Sequence, residues 1–344
     1  MSSPPEALAG ALLGLALGDA LGFVVEAEPT EVARGYVRDV LRRGHAGGRH
    51  HPRFAFGQYS DDTQLARELL RSIAERGAWA PEDFARRMAL LVREGLDVGA
   101  GPGTRATALR LLLGAPWARA GRPSPYAGNG SAMRVGPVGA LGGWTIEERL
   151  RCAAEQSLVT HHDACCAAGA VAVAGAVALA ARPGPLDPAA ALEQIATWCH
   201  PNSPRLAALV REVTEWLALD PPAAVERLRR SGAAGDPSRP WQGISALVLP
   251  SVAWSLYAAF RSPGDWWETV CTAIEAGGDT DTTAAMAGAI VGARVGAGAL
   301  PAPMLERLTD RGAWGAGALL ELARRCAGLD SGPPGVILAQ LGHP

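Results

Sequence analysis

Lysine is absent from this 344-residue chain, so all 32 cationic side chains are arginine. Chemistry that needs an ε-amine, such as Schiff-base catalysis or the phosphate-binding lysine of a P-loop, is therefore excluded. An excess of positive charge is missing as well. With a net charge of −2 and a pI near 6.4, the chain presents no basic field for nucleic-acid phosphates, and no nucleic-acid partner is expected. The six cysteines (Cys152, Cys165, Cys166, Cys199, Cys271 and Cys326) contain no Cys-x-x-Cys pair. Reduced, mostly buried thiols in a cytoplasmic protein are the expectation. Alternating strand patterns are nearly absent too, whereas hydrophobic residues make up 48% of the chain and charged ones only 19%, a balance far from that of a disordered protein.

What is present reads as helix. Apolar periodicity and punctuation by Gly and Pro predict helices over 6–21, 62–77, 81–94, 103–113, 145–157, 163–181, 188–199, 204–218, 222–231, 244–261, 264–276, 280–297, 302–311 and 315–327. No linker cuts the chain, so the expected architecture is one all-α domain over 1–344, and a monomer. Segment 34–58, rich in Gly and His, reads as a mobile loop. Two apolar runs, from Ala7 to Val25 and from Ala164 to Ala181, resemble membrane signals in length. The first contains Asp19 and has no arginine before Arg34. The second has no aromatic belt, so both are expected in the core, with no membrane partner. Glycines at 10, 14, 18 and 22 and at 288, 292 and 296 form two stripes of period four. Interior glycine costs up to ~1 kcal/mol against alanine, so the stripes predict close backbone packing of two central helices.

Two motifs open long apolar helices: Ser60-Asp61-Asp62-Thr63 and Gly277-Gly278-Asp279-Thr280-Asp281-Thr282-Thr283. Helix capping and the helix dipole favour one acid at such a position, for about 0.3–1 kcal/mol. They do not account for two carboxylates crowding at each of two helix starts. Four carboxylates interleaved with hydroxyls are oxygen ligands of the kind that Mg²⁺ or Mn²⁺ prefers, and if the turns converge they make a two-metal site.

These residues also carry a resemblance. The segment Gly10 to Gly22 with Gly18-Asp19, then Glu26, Ser60 to Thr63, Gly128-Asn129-Gly130-Ser131-Ala132-Met133-Arg134, Thr160-His161 and Gly277 to Thr282 follow in an order that resembles the ADP-ribosylglycohydrolase family. The resemblance implies a compact all-α fold with two divalent cations at its centre, Mg²⁺ first and Mn²⁺ as the alternative, held by Ser60, Asp61, Asp62, Asp279, Asp281 and Thr282. It implies that Glu26 lies on a flap over the ribose. Gly128, Asn129, Gly130, Ser131 and Met133 would cradle a diphosphate, with His161 and Tyr126 helping to hold ADP-ribose. The implied activity is hydrolysis of the glycosidic bond at C1″ of an ADP-ribosylated side chain or small compound, with Glu26, Asp61 or Asp62 as general base. His162-Asp163, with His45, His50 and His51, supports a rival reading as a metal phosphohydrolase of the HD type. A catalytically silent ADP-ribose-binding protein is the other alternative. Among the aromatics, Trp241, Tyr126 and Phe23 are the candidates for adenine stacking.

Overall fold

A computed structural model describes residues 4–44, 51–233 and 242–328. In chain order the helices are α1 (Pro4–Gly22), α2 (Thr30–Tyr36), α3 (Asp61–Arg76), α4 (Pro81–Arg93), α5 (Pro102–Leu112) and α6 (Trp117–Ala120). They continue with α7 (Ile146–Leu158), α8 (Ala164–Ala180), α9 (Pro188–Cys199), α10 (Pro204–Trp216) and α11 (Pro221–Arg230). The last five are α12 (Val248–Arg261), α13 (Trp266–Glu275), α14 (Thr280–Val295), α15 (Ala302–Leu305) and α16 (Ala316–Ala327). The only β-pairing among the described residues consists of isolated bridges, so the fold is all-α. One continuous cluster of buried apolar side chains runs from Ala7 to Cys326.

The glycine stripes set the centre of that core. A methyl group added at Gly10, Gly14, Gly18 or Gly22 would lie between 2.1 and 2.3 Å from the carbonyl oxygen of Gly292, Gly288, Ala284 or Thr280 respectively. Stepping up α1 by one turn steps down α14 by one turn, so the two helices are antiparallel and in backbone contact. Only glycine permits this approach, and the dispersion attraction between two backbones packed along their length offsets its propensity cost. Because the pair is antiparallel, the end of α1 and the start of α14 lie together. Gly296 closes the stripe and the helix together: its carbonyl carbon would lie 3.0 Å from a methyl added at Gly10, and at φ +80° it terminates α14, where its amide donates to the Gly292 carbonyl.

Both apolar runs are interior. The α1 segment Glu6–Val25 is long and apolar enough to cross a bilayer, yet it is wholly buried in protein. Helix α8 is buried around nearly its whole circumference. All six cysteines are free, and five of them are buried.

Three expectations fail locally. Segment 34–58 is not one loop: α2 leads into a π turn (Val37–Leu41) whose Tyr36, Val37 and Leu41 are buried, and Arg42 then pairs with Glu268 on α13 at 2.5 Å. The helix expected over 302–311 stops at Leu305. Beyond it, the Asp310 carboxylate accepts from Gln64 and Arg67 on α3. Helix α12 starts at Val248 rather than 244, because Ile244 pairs with the glycine turn that precedes α14.

Candidate functional site

The first acidic turn is built by α1 as much as by α3. Ser60 is the N-cap of α3, its hydroxyl accepting from the Asp62 amide at 3.3 Å. From inside α1, Asp19 takes the Ser60 amide on Oδ1 (2.9 Å), and on Oδ2 it takes both the amide (3.0 Å) and the hydroxyl (2.6 Å) of Thr63. Asp61 is tied on its other side, its amide donating to the Val98 carbonyl at 2.6 Å.

The second acidic turn is held by backbone instead. Gly277 and Gly278 both sit at positive φ, +70° and +85°. A side chain on Gly278 would also start 2.1 Å from the Ile244 carbonyl oxygen, so the conformation and the space both require glycine. Ile244 donates to the Gly277 carbonyl at 3.0 Å and accepts from the Asp279 amide at 2.8 Å. The segment after α1 joins the same turn, because the Ala27 amide donates to the Gly278 carbonyl at 2.9 Å and holds Glu26 beside it.

Asp279 occupies the N-cap position of α14 without capping it. Its carboxylate accepts from the Asn129 side-chain amide, which also donates to the Ser251 hydroxyl. Capping thus accounts for Ser60 but not for the acids of the second turn. Carboxylate oxygens of Glu26, Asp279 and Asp281 come within 4.8 Å of one another. Burial is the main force raising the Asp61, Asp62 and Asp281 carboxyls well above the usual range, and the mutual repulsion of Asp19, Glu26, Asp61, Asp62 and Asp279 adds to it. Desolvation, then the charge of Asp279 and of Asp19, pushes the Glu26 carboxyl up to about 8. Asp19 is pushed up by burial to about 6 despite its three hydrogen bonds. The two distant turns therefore face each other.

This centre suits a hard cation on its own chemistry. Asp62 Oδ2 is buried and has no hydrogen-bond partner. Among the described residues no arginine forms an ion pair with Glu26, Asp61, Asp62, Asp279 or Asp281. Uncompensated buried carboxylates are costly, and divalent cations bound by oxygen donors relieve that cost.

The glycine-rich segment lies alongside. Gly128 forms a bridge with Leu247, and the Asn129 amide donates to the Ala246 carbonyl. Among the described residues the amides of Gly130 and Ser131 find no backbone acceptor, whereas the Ser131 hydroxyl turns inward to Cys166 and Ser157. Met133 is buried beneath the loop. Tyr126 stacks on His161 with centroids 5.5 Å apart, and the Arg122 guanidinium lies 3.8 Å from the Tyr126 centroid.

Phe23 stacks on His51 at 4.5 Å, beside Gly99 and Asp61. Trp241, His45 and His50 lie outside the described residues. Asp163 is a helix cap, its carboxylate accepting from the Cys165 amide and the Ser124 hydroxyl. That commitment takes the acid of the His-Asp pair away from metal binding. Asn129 was expected at the diphosphate; its hydrogen bond to Asp279, and the support that Asp19 gives the first turn, were not read from the sequence. The available signal for Asp19 was a charge deep inside an apolar helix whose only other charge, Glu6, is in its first turn; burial obliges such a group to find partners.

A sequence profile of the family described as ADP-ribosylglycohydrolase matches residues 2–334. The chain is 33% identical over 309 residues to an uncharacterized protein of Archaeoglobus fulgidus, covering 89% of this chain and 92% of that one. It is 26% identical to the ADP-ribosyl-[dinitrogen reductase] glycohydrolase of Rhodospirillum rubrum, over 87% of this chain and 89% of that one. It is 28% identical to human ADP-ribosylhydrolase ARH3, over 85% and 86%. A solved structure titled ADP-ribosylglycohydrolase-related protein complex superposes with a TM-score of 0.71 at 26% identity, covering 96% of this chain and all of the other. With the family profile spanning nearly the whole chain and the fold in agreement, the chain belongs to the ADP-ribosylglycohydrolase family.

Proposed function

We propose that the protein is a divalent-cation-dependent hydrolase that removes ADP-ribose, by cleavage at C1″, from a modified side chain or a small ADP-ribosyl compound. The observation that carries this reading is the meeting of the two acidic turns around an unpartnered Asp62 oxygen. Ser60, Asp61, Asp62, Asp279, Asp281 and Thr282 are the residues that would hold two cations, Mg²⁺ first and Mn²⁺ second. Such cations supply charge stabilisation and orientation to a polar substrate.

The remaining work falls to the chain. Glu26 is the one acid of the cluster that is partly exposed; Asp61, Asp62, Asp279 and Asp281 are all buried. Water and substrate reach Glu26 Oε first, so it takes the role of general base in preference to Asp61 or Asp62. The amides of Gly130 and Ser131 would serve the diphosphate, a use of backbone N–H groups supported by the tight space at Gly130, where a side chain would meet His161 Cε1 at 3.2 Å. Tyr126 and His161 close the wall of that subsite. Six free thiols agree with a cytoplasmic protein, and we take residues 1–344 as one domain acting as a monomer.

The test is incubation with ADP-ribosyl-arginine, an ADP-ribosyl-serine peptide and O-acetyl-ADP-ribose, each with Mg²⁺, Mn²⁺ or EDTA. Release of ADP-ribose from at least one substrate, with cation and not with EDTA, is the expected result. Release from none sinks the reading in favour of a binding protein, and phosphate release from a nucleotide sinks it in favour of phosphohydrolase chemistry.

A further inference from the structure

Arg134 is buried, and none of its hydrogen bonds goes to a carboxylate. Its Nε donates to the Gln156 side chain (2.6 Å), and its Nη2 to the Gln156 carbonyl (2.9 Å) and the Thr160 hydroxyl (3.0 Å). Burial works against the Arg134 charge, and the negative Asp61 works for it. Thr160 Oγ1 in turn lies 2.8 Å from His161 Nδ1.

The donor inventory decides the direction of this chain. Guanidinium can only donate, so the Thr160 oxygen accepts from Arg134 and keeps one proton of its own to give. The described residues offer that proton no acceptor other than His161 Nδ1. Nδ1 is therefore the bare nitrogen, and the imidazole proton sits on Nε2. His161 Nε2 points toward the glycine loop, within 3.1 Å of where a Gly128 side chain would begin. Nε2 has no hydrogen-bond acceptor among the described residues, and it is not among the fully buried unpartnered atoms.

We propose that Arg134 and Thr160 are positioning residues that lock His161 as a neutral Nε2–H donor facing the Gly128–Ser131 loop, where it meets an oxygen of the bound diphosphate or ribose. This rests on the ADP-ribose reading for its ligand but not for its tautomer. The groups facing the ring act in the same sense: burial, Arg134, Arg122 and His162 all disfavour a second proton, and only Asp163 favours one, so the imidazole is pushed down to about 3. The ring therefore stays neutral across the physiological range, and its single proton is placed by the relay rather than by solution pH.

Long-range ¹H–¹⁵N correlation on the full chain labelled with ¹⁵N-histidine reads the tautomer directly, with the His161 signals identified as those lost in His161→Gln. The expected spectrum has the proton on Nε2 at every pH from 5.5 to 8, and a proton on Nδ1 overturns the proposal. Thr160→Val removes the relay at nearly constant volume. It should mix the tautomers and weaken ADP-ribose binding, measured by calorimetry, by about tenfold, the worth of one hydrogen bond. Thr160→Ser should restore both spectrum and affinity. Melting temperatures close to wild type in both variants separate the relay from a folding defect. A Thr160→Val protein with unchanged tautomer, or one that keeps wild-type affinity, overturns the relay. Correct tautomers in a wild-type protein that binds no ADP-ribose support the relay and overturn the functional reading, so the two can fail separately.

Discussion

The acidic turns at Ser60 and Asp279 look alike in sequence and are built differently. At the first, a side chain from another helix does the holding: Asp19 gathers three donors, and Ser60 caps α3. At the second, backbone pairing with Ile244 shapes the turn, two glycines make it possible, and Asp279 is left to face Asn129. The difference teaches that a carboxylate at a helix start has to be asked which donors it satisfies. The backbone is anchored at both turns; at the second the Asp279 carboxylate also accepts from Asn129, whereas at the first Asp62 Oδ2 is left without a partner.

Substitutions can break or sharpen this contrast. The largest effect is expected at the second turn: Asp281→Asn should abolish turnover and weaken cation binding while leaving the helical circular-dichroism spectrum intact. A spectrum that collapses would make the second turn structural like the first. Next, Glu26→Ala should lower kcat by roughly 10²–10⁴-fold, the usual range for loss of a general base, with cation binding retained by calorimetry. Unchanged activity removes Glu26 from the chemistry.

Asp19→Ala strands two backbone amides and a hydroxyl, and should cost about 2–4 kcal/mol of stability in a denaturant titration. A loss below ~1 kcal/mol would show that the first turn stands without α1.

The acids also set a pH dependence for the cation-free protein. Asp19 and Glu26 are held above their ordinary range, to about 6 and about 8. Their contribution is therefore complete below the unfolded-state value near 4 and is lost as pH climbs through those two points. In EDTA the melting temperature should thus be higher at pH 5 than at pH 8, by roughly 5 °C, and Mg²⁺ should narrow the gap. A higher melting temperature at pH 8 contradicts the crowding of negative charge between the two turns. The smallest effect on stability is expected from Ser60→Ala in the cation-free protein: loss of one cap, about 1 kcal/mol in a denaturant titration, with no counterpart at Asp279.

Much of this was legible in the sequence for a physical reason. Helix starts, apolar periodicity and the period-four glycines are local signals, and they located α1, α3, α8 and α14 to within a few residues. The backbone contact between α1 and α14 followed from the cost of interior glycine. Partnership across the chain was less visible. Nothing near Asp19 announces that its donors lie 41 and 44 residues away, and nothing near Asn129 points to Asp279. The region after Arg34 was misread because its glycines and histidines outweighed Tyr36, Val37 and Leu41, which the core takes in. Residues 306–311 lost their helix to the pull of Gln64 and Arg67 on Asp310.

The antiparallel contact of α1 with α14 also bears on folding during synthesis. A ribosome releases α1 first, yet the surface that receives its glycine face is translated more than 250 residues later, so an apolar helix must wait through most of elongation before it can dock. Contacts this distant in sequence slow folding and leave intermediates prone to aggregate. The two acidic turns can therefore meet only after α14 has been made, and the helical signal regained on dilution from denaturant should precede this last docking event.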